Sequence, residues 1–261
     1  MGHYPKKRFS QVFLADKNYV RKIIKLLKLS SDDTVFEIGS GRGTLTELIA
    51  DTGAKLFSFE IDRDLIDNLK KKFQKYENVS ILNQDFLETE PGKYFDGKFK
   101  LIGNIPYDIT SPLLDWMIKY QNQIELAVLT TQKELAQRIS SKPESKGWAP
   151  ISIFCQCAFD VESVIDIPPK AFFPPPKIYS STMTFRPKEK YEISDMANFE
   201  KIVRQSFLHR RKQLVNNLSK LPEIDKGRLE AVLTELGLGR NCRAEQISID
   251  NFIKLAEALK S

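Results

Sequence analysis

Thr34-Val35-Phe36-Glu37-Ile38-Gly39-Ser40-Gly41-Arg42-Gly43-Thr44 is the stretch that decides the fold. An apolar strand pattern over Val35 to Ile38 runs into three alternating glycines, and a helical pattern starts at Thr44. Glycines at such a junction allow a tight turn and let a ligand approach the backbone closely. The spacing is G-x-G-x-G, with Thr44 where a dinucleotide-binding loop has its last glycine.

The same alternation continues outward from that turn. Strand character returns at 55–60, 79–82, 99–103 and 124–131, with helical spacing at 65–73, 112–118 and 132–139. Pro112 sits in the first turn of its helix, where a missing N–H costs nothing. The fold class is therefore α/β, an open and mostly parallel sheet covered by helices on both faces. Residues 151–158 and 161–165 read as a strand pair closing the sheet, and 181–185 as a further strand. Pro168-Pro169 and Pro174-Pro175-Pro176 are too rigid for a helix or a ladder. Residues 186–191 read as a linker, and beyond them the pattern is helical at 199–207, 212–218, 229–236 and 252–259. The expected domains are 1–187, a catalytic α/β domain with an N-terminal arm, and 188–261, a small all-helical domain. In the arm, Lys6, Lys7 and Arg8 mix with Phe9, Gln11, Phe13 and Leu14, more aromatic character than a solvated tail needs, so part of it should dock. Asp16 then caps a helix bearing Val20, Ile23, Ile24 and Leu27.

A chain of 261 residues with 41% hydrophobic content can build a real core. The formal charge of +6 favours a polyanionic partner. No run of apolar residues reaches membrane-spanning length, and the first eight residues lack a signal-peptide core, so a soluble, cytoplasmic protein is expected. Cys155, Cys157 and Cys242 make neither a disulfide framework nor a zinc set, and the first two read as buried thiols on one face of a strand. His3 and His209 are too few and too scattered for a metal centre or a histidine-driven triad, so no metal is expected.

Candidate site residues fall at the carboxyl ends of the strands, where such sheets bind ligands. Glu60 ends the second strand, about where an acidic residue meets a ribose diol. Asp85 ends the third, placed to accept from an adenine amino group with Phe86 beside the ring. With Glu37 in the first motif and no arginine or lysine clamp, the pattern disfavours a phosphate-rich cofactor. S-adenosylmethionine, cationic at sulfur and free of phosphate, fits better than NAD. The fourth strand ends in Asn104-Ile105-Pro106-Tyr107. Pro106 pushes Ile105 toward extended backbone and holds Asn104 and Tyr107 in a fixed relation. An amide that accepts from an amine, beside a ring on which a flat base stacks, suits alkylation of an exocyclic amine.

In order along the chain these motifs resemble the KsgA family of small-subunit (16S) rRNA adenine N6,N6-dimethyltransferases. Lys7-Arg-Phe-Ser-Gln-Val-Phe-Leu is similar to the family's K-R-F-G-Q-N-F-L. The glycine motif, Glu60, Asp85 and the Asn104 box follow in family order, then Gln132-Lys-Glu, Ser145-Lys-Gly-Trp and Ala171-Phe-Phe-Pro-Pro-Pro-Lys-Ile. In the helical part, Phe207-Leu-His-Arg-Arg-Lys resembles F-x-x-R-R-K, and Arg243-Ala-Glu-Gln-Ile-Ser completes the series. Three positions depart: Ser10 for glycine, Val12 for asparagine, and Trp148 for the tyrosine of S-K-x-Y. Val12 removes a side-chain contact to the cofactor, although its backbone can still serve.

The resemblance implies a Rossmann-like S-adenosylmethionine-dependent methyltransferase sheet with a C-terminal helical rRNA-binding domain. It implies dimethylation of two adjacent adenosines in a small-subunit rRNA hairpin, with S-adenosylhomocysteine as product and a role in subunit biogenesis. Asn104, Ile105, Pro106, Tyr107 and Phe172 would be catalytic, with Tyr107 and Phe172 on the two faces of the extruded adenine. Gln11, Val12, Leu14, Gly39, Gly41, Glu60, Ile61, Asp85, Phe86 and Asn104 would surround the cofactor. Arg210, Arg211 and Lys212 would contact rRNA phosphates. The implied partner is rRNA within an immature small subunit, met by a monomer. Two rivals share these motifs: an Erm-type methyltransferase of large-subunit rRNA, and a non-catalytic RNA-binding assembly factor. The loop at Ser145, the Arg-Arg-Lys helix and Arg243-Ala-Glu favour the first reading over the Erm type, and the complete acidic and Asn104 motifs favour catalysis.

Overall fold

The structure is a computed structural model that describes residues 12–188 and 191–260, and of Tyr107 the backbone alone. These residues form two compact units, 12–136 with 159–188 and 137–158 with 191–260. A single boundary at 187 therefore leaves out 137–158, whose Trp148 and Ile153 are fully buried in the core of the second unit.

In the first unit the chain runs β1 (Phe13–Leu14), α1 (Lys17–Leu27), β2 (Thr34–Ile38), α2 (Thr44–Ala50), β3 (Lys55–Glu60), α3 (Arg63–Phe73) and β4 (Val79–Asn83). It continues through β5 (Phe99–Asn104), α4 (Thr110–Lys119) and β6 (Ile124–Gln132) into α5 (Lys133–Ile139), the helix in which the first unit gives way to the second. After α6 (Pro150–Ala158) of the second unit, β7 (Phe159–Ile167), β8 (Phe172–Phe173) and β9 (Ser180–Pro187) complete the first. One sheet has the order β4-β3-β2-β5-β6-β9-β7, parallel from β4 to β6 and antiparallel at β9 and β7. β1 and β8 pair separately, Phe13 with Phe173 and Leu14 with Phe172.

Alternation along the strands sorts the core into two layers. Val35, Leu56, Ile102 and Val128 face α1 and α2, whose Val20, Ile23, Leu27, Leu45 and Ile49 belong to the same cluster. The opposite face carries aromatic rings: Phe36 stacks on Phe99 at 4.3 Å, and Phe59 meets Phe86 edge-on at 5.3 Å. Trp116 of α4 lies 4.5 Å from Phe86 and donates from Nε1 to the Thr89 carbonyl at 2.8 Å. Asp16 caps α1 as expected, accepting from Asn18 N–H at 2.8 Å.

Residues 151–158 are helix, not strand. Pro150 opens α6, and Ser152, Ile153, Cys155 and Ala158 are its buried positions. A short apolar run fits both periods, and here the proline start and helical spacing prevail over strand propensity. Cys155 is therefore a buried helical thiol and Cys157 a half-buried one, and β9 lies antiparallel between β6 and β7. In the second unit, α7 (Met196–Ser206), α8 (Leu214–Leu218), α9 (Lys226–Glu235) and α10 (Ile249–Ala258) join α6 around Phe199, Leu214, Leu229 and Phe252, all fully buried.

Glu37 stands in the centre of the sheet, completely buried. Its Oε2 accepts from the Thr46 hydroxyl at 2.7 Å and the Ser58 hydroxyl at 2.5 Å, while Oε1 has no partner among the described residues. Burial pushes this carboxyl up to about 7, against the hydroxyls of Ser58 and Thr46 and with help from the charge on Glu60. The folded state thus favours the protonated acid. Its stabilising effect is full below the ordinary carboxyl value and is lost as pH rises through about 7. Glu37→Gln, which never ionises, should gain stability relative to the native protein between pH 5 and pH 8, by at most about 3 kcal/mol. Denaturant unfolding at the two pH values measures this, and parallel stabilities would contradict a buried neutral acid.

Candidate active site

The glycine turn after β2 is built on left-handed backbone. Gly39, Gly41 and Gly43 have φ of +72°, +54° and +73°, which only glycine adopts freely. Space is as tight as the backbone demands: a Cβ on Gly41 would stand 2.9 Å from the Phe13 ring, and one on Gly43 2.7 Å from Phe73. This turn brings the Gly41 N–H to Glu60 Oε2 at 2.8 Å, while the Asp62 N–H binds Oε1 at 2.8 Å. Glu60 is buried, and burial raises its carboxyl above the ordinary value although both backbone donors favour the charged form.

Around this carboxylate the ends of β2 to β5 open into a cavity of about 280 Å³. Its lining includes Gly39, Gly41, Glu60, Ile61, Asp85, Phe86, Asn104, Ile105, Pro106, Val12, Leu14 and Phe172. Those expected site residues are thus brought together in one place. Asp85 Oδ1 accepts the Leu87 N–H at 2.9 Å and caps the short turn that seats Phe86. Gln11 lies outside the described residues, as does the side chain of Tyr107, whose backbone begins a short turn at Tyr107–Ile109.

Asn104 ends β5 and is half-buried. Its Nδ2 donates to the Val12 carbonyl at 2.7 Å, which ties the arm to the box through the backbone at position 12. Ile105 N–H donates to Thr130 O at 2.8 Å, which anchors the box to β6. The Pro106 carbonyl accepts from Ile109 N–H at 3.3 Å and the Thr110 hydroxyl at 3.2 Å. Phe172 is buried in β8, which the arm covers as β1, and the Ala15 and Asp16 N–H groups both bind Ala171 O.

The sequence reading did not count Arg42 as a cation of the site. It lines the cavity, and its guanidinium carbon lies 4.9 Å from the Phe13 ring centre and 5.0 Å from that of Phe173. No local pattern reveals this, because the two rings meet only through the β1–β8 pairing. Phe13, Asp108, Thr131, Pro176 and Ser180 also line the cavity.

In the second unit the basic triplet divides into two kinds of side chain. Arg210 Nη2 donates to Lys146 O at 2.8 Å and Trp148 O at 3.3 Å, and stands 3.8 Å from Glu245. Glu144 N–H donates to Glu245 O at 2.7 Å, and Trp148 Nε1 donates to Ile247 O at 3.0 Å. Arg210 thus ties three motif segments together while, like Arg211 and Lys212, remaining exposed. The positive potential there is felt by His209, which Lys220 holds below the ordinary imidazole range, with desolvation and Lys212 acting the same way. Among the described residues no group of three or more metal-ligating side chains occurs.

Comparison with known proteins agrees with this geometry. The family model for ribosomal RNA adenine dimethylase matches residues 2–261. Ribosomal RNA small subunit methyltransferase A of Persephonella marina is 37% identical over 98% of this chain and 94% of its own. The protein of the same name from Caldanaerobacter subterraneus is 38% identical over 97% of each chain. Among solved structures, a dimethyladenosine transferase from Plasmodium falciparum superposes with a TM-score of 0.80 at 26% identity, covering 93% of this chain and 95% of that one. The 23S rRNA methyltransferase ErmE superposes with a TM-score of 0.74 at 28% identity, covering 95% and 100%.

Glu60 is the test of what the cavity holds. A buried carboxylate that accepts from two ribose hydroxyls contributes charge-assisted bonds of about 1.5–3 kcal/mol each. Glu60→Ala should therefore weaken S-adenosylmethionine binding at least tenfold in calorimetric titration, partly through loss of the Gly41 contact. Unchanged affinity would remove Glu60 from the ligand site.

Proposed function

The chain belongs to the ribosomal RNA adenine dimethylase family, matched over residues 2–261, and from that premise we propose its reaction and the residues that carry it. It dimethylates the N6 amino groups of two adjacent adenosines in the 3'-terminal hairpin of small-subunit (16S) rRNA, using S-adenosylmethionine. Its substrate is the immature small subunit in the cytoplasm, where it acts as a monomer during subunit biogenesis. The observation that carries this reading is a single cavity lined by Glu60, Asp85 and Asn104.

The residues present fit the cofactor. Glu60, buried and held by two backbone N–H groups, suits a ribose diol; Asp85 beside buried Phe86 suits an adenine edge and face. Arg42 is engaged over two rings, so the acidic cavity favours a phosphate-free, cationic ligand. Bound there, S-adenosylmethionine supplies a methyl carbon whose bond to sulfur breaks as the amine nitrogen's lone pair takes it, leaving neutral S-adenosylhomocysteine. The chain's task is to orient the amine. Asn104 Oδ1 accepts one N–H, drawing the nitrogen toward the pyramidal, nucleophilic form. The Pro106 carbonyl is occupied, which makes the Ile105 carbonyl the better candidate for the second N–H. Phe172 and Tyr107 hold the extruded base between them. The product ammonium releases its proton to water, so positioning and exclusion of water supply most of the acceleration. Arg211 and Lys212 supply phosphate contacts, which position the subunit without reading its sequence.

The likeness to ErmE supports an alternative acceptor, large-subunit rRNA. The greater identity to relatives named for the small subunit favours the main reading.

Asn104→Ala separates chemistry from binding. Losing a preorganised electrostatic partner costs about 2.7–4 kcal/mol in comparable enzymes, roughly a hundred- to thousandfold in rate. Single-turnover methylation of immature subunits should fall by that factor while subunit binding stays within a few-fold. Transfer at the unaltered rate would refute the role given to Asn104.

A further inference from the structure

We infer that Val12 is a positioning residue for methyl transfer: its backbone carbonyl fixes Asn104 with the amide oxygen turned toward the acceptor amine. The inference rests on the reaction proposed above. Asn104 Nδ2 and Val12 O are 2.7 Å apart, and both residues line the cavity. A carbonyl only accepts, so the group that faces it must be the NH2. The amide is planar, and with Nδ2 on Val12 the oxygen is the atom left for the ligand. Among the described residues, no donor is found for Oδ1.

The orientation decides between catalysis and obstruction. An amide oxygen binds an N–H of the target and leaves the nitrogen lone pair for the incoming carbon. A flipped amide would donate an N–H to that lone pair and occupy the nucleophile. Asn104 alone has no preference between the two, since both rotamers place a polar atom at each position. The preference comes from the arm, which β1 holds against β8 directly after Val12, with Leu14 paired to the cavity-lining Phe172. A backbone contact also explains how the arm serves with valine at this position, because the side chain takes no part.

Asn104→Asp tests this by making the donor titratable. The protonated carboxyl can give its O–H to Val12 and present its carbonyl to the amine, as asparagine does. The ionised carboxylate cannot, and turns an oxygen against the Val12 carbonyl. The ratio of variant to native single-turnover rates on immature subunits should therefore fall as pH rises through the pKa of the introduced carboxyl, approaching tenfold per pH unit above it. Glu60, Asp85, Asp108 and Arg42 are the charged side chains lining the same cavity and are common to both proteins, so the ratio divides out their direct effects. A flat ratio, or one that rises with pH because a carboxylate is the stronger acceptor, would overturn the inference. A second measurement needs no active variant. In native protein labelled with 15N-asparagine, the Asn104 side-chain amide, identified by its loss in Asn104→Ser, should show one proton exchanging more slowly than in exposed asparagines. Two rapidly exchanging protons would overturn it. Native protein that transfers no methyl group at all would instead refute the underlying reaction, and the inference with it.

Discussion

One buried carboxylate organises the edge of this sheet at which the parallel strands end. Glu60 takes one N–H from the glycine turn after β2 and another from Asp62 beyond its own strand. To reach it, the turn must pass through three left-handed residues, and the space beside Gly41 is already filled by Phe13. The glycines are thus required twice, by backbone conformation and by the arm packed over them. A carboxylate stripped of water and held by backbone donors is a strong acceptor with little freedom. That combination suits a ligand presenting two hydroxyls at fixed separation.

The constraint spreads through the arm. Phe13 abuts Gly41, Leu14 pairs with Phe172, and Val12 accepts from Asn104. Three consecutive residues therefore touch the glycine turn, the wall of the cavity and the amide of the Asn104 box. Arg42, over the rings of Phe13 and Phe173, clasps the same two-stranded ribbon. Such a ribbon is marginal alone and depends on what it covers. Ligand that fills the cavity and ribbon that closes over it should stabilise one another.

Much of this was legible in the sequence because strand ends are read locally. Glu60, Asp85 and Asn104 each follow an apolar run, and parallel strands in register place their carboxyl ends side by side. What local pattern could not supply was pairing between distant segments. The 151–158 run fits either period, and its Ile153, Phe154 and Cys157, packed in the second unit's core, show where it belongs. Arg210 looked like one of three equivalent phosphate contacts. Its bonds to the Lys146 and Trp148 carbonyls make it a tie between segments that the sequence could order but not join.

If this cavity delivers methyl groups to small-subunit rRNA, the rRNA itself carries the record. Incubating the protein with immature small and large ribosomal subunits and methyl-labelled S-adenosylmethionine, then locating modified bases by primer-extension arrest, tests it most directly. Label is expected on two adjacent adenosines of the 3'-terminal small-subunit hairpin and none on the large subunit. Label on large-subunit rRNA, or no label on either, would contradict it.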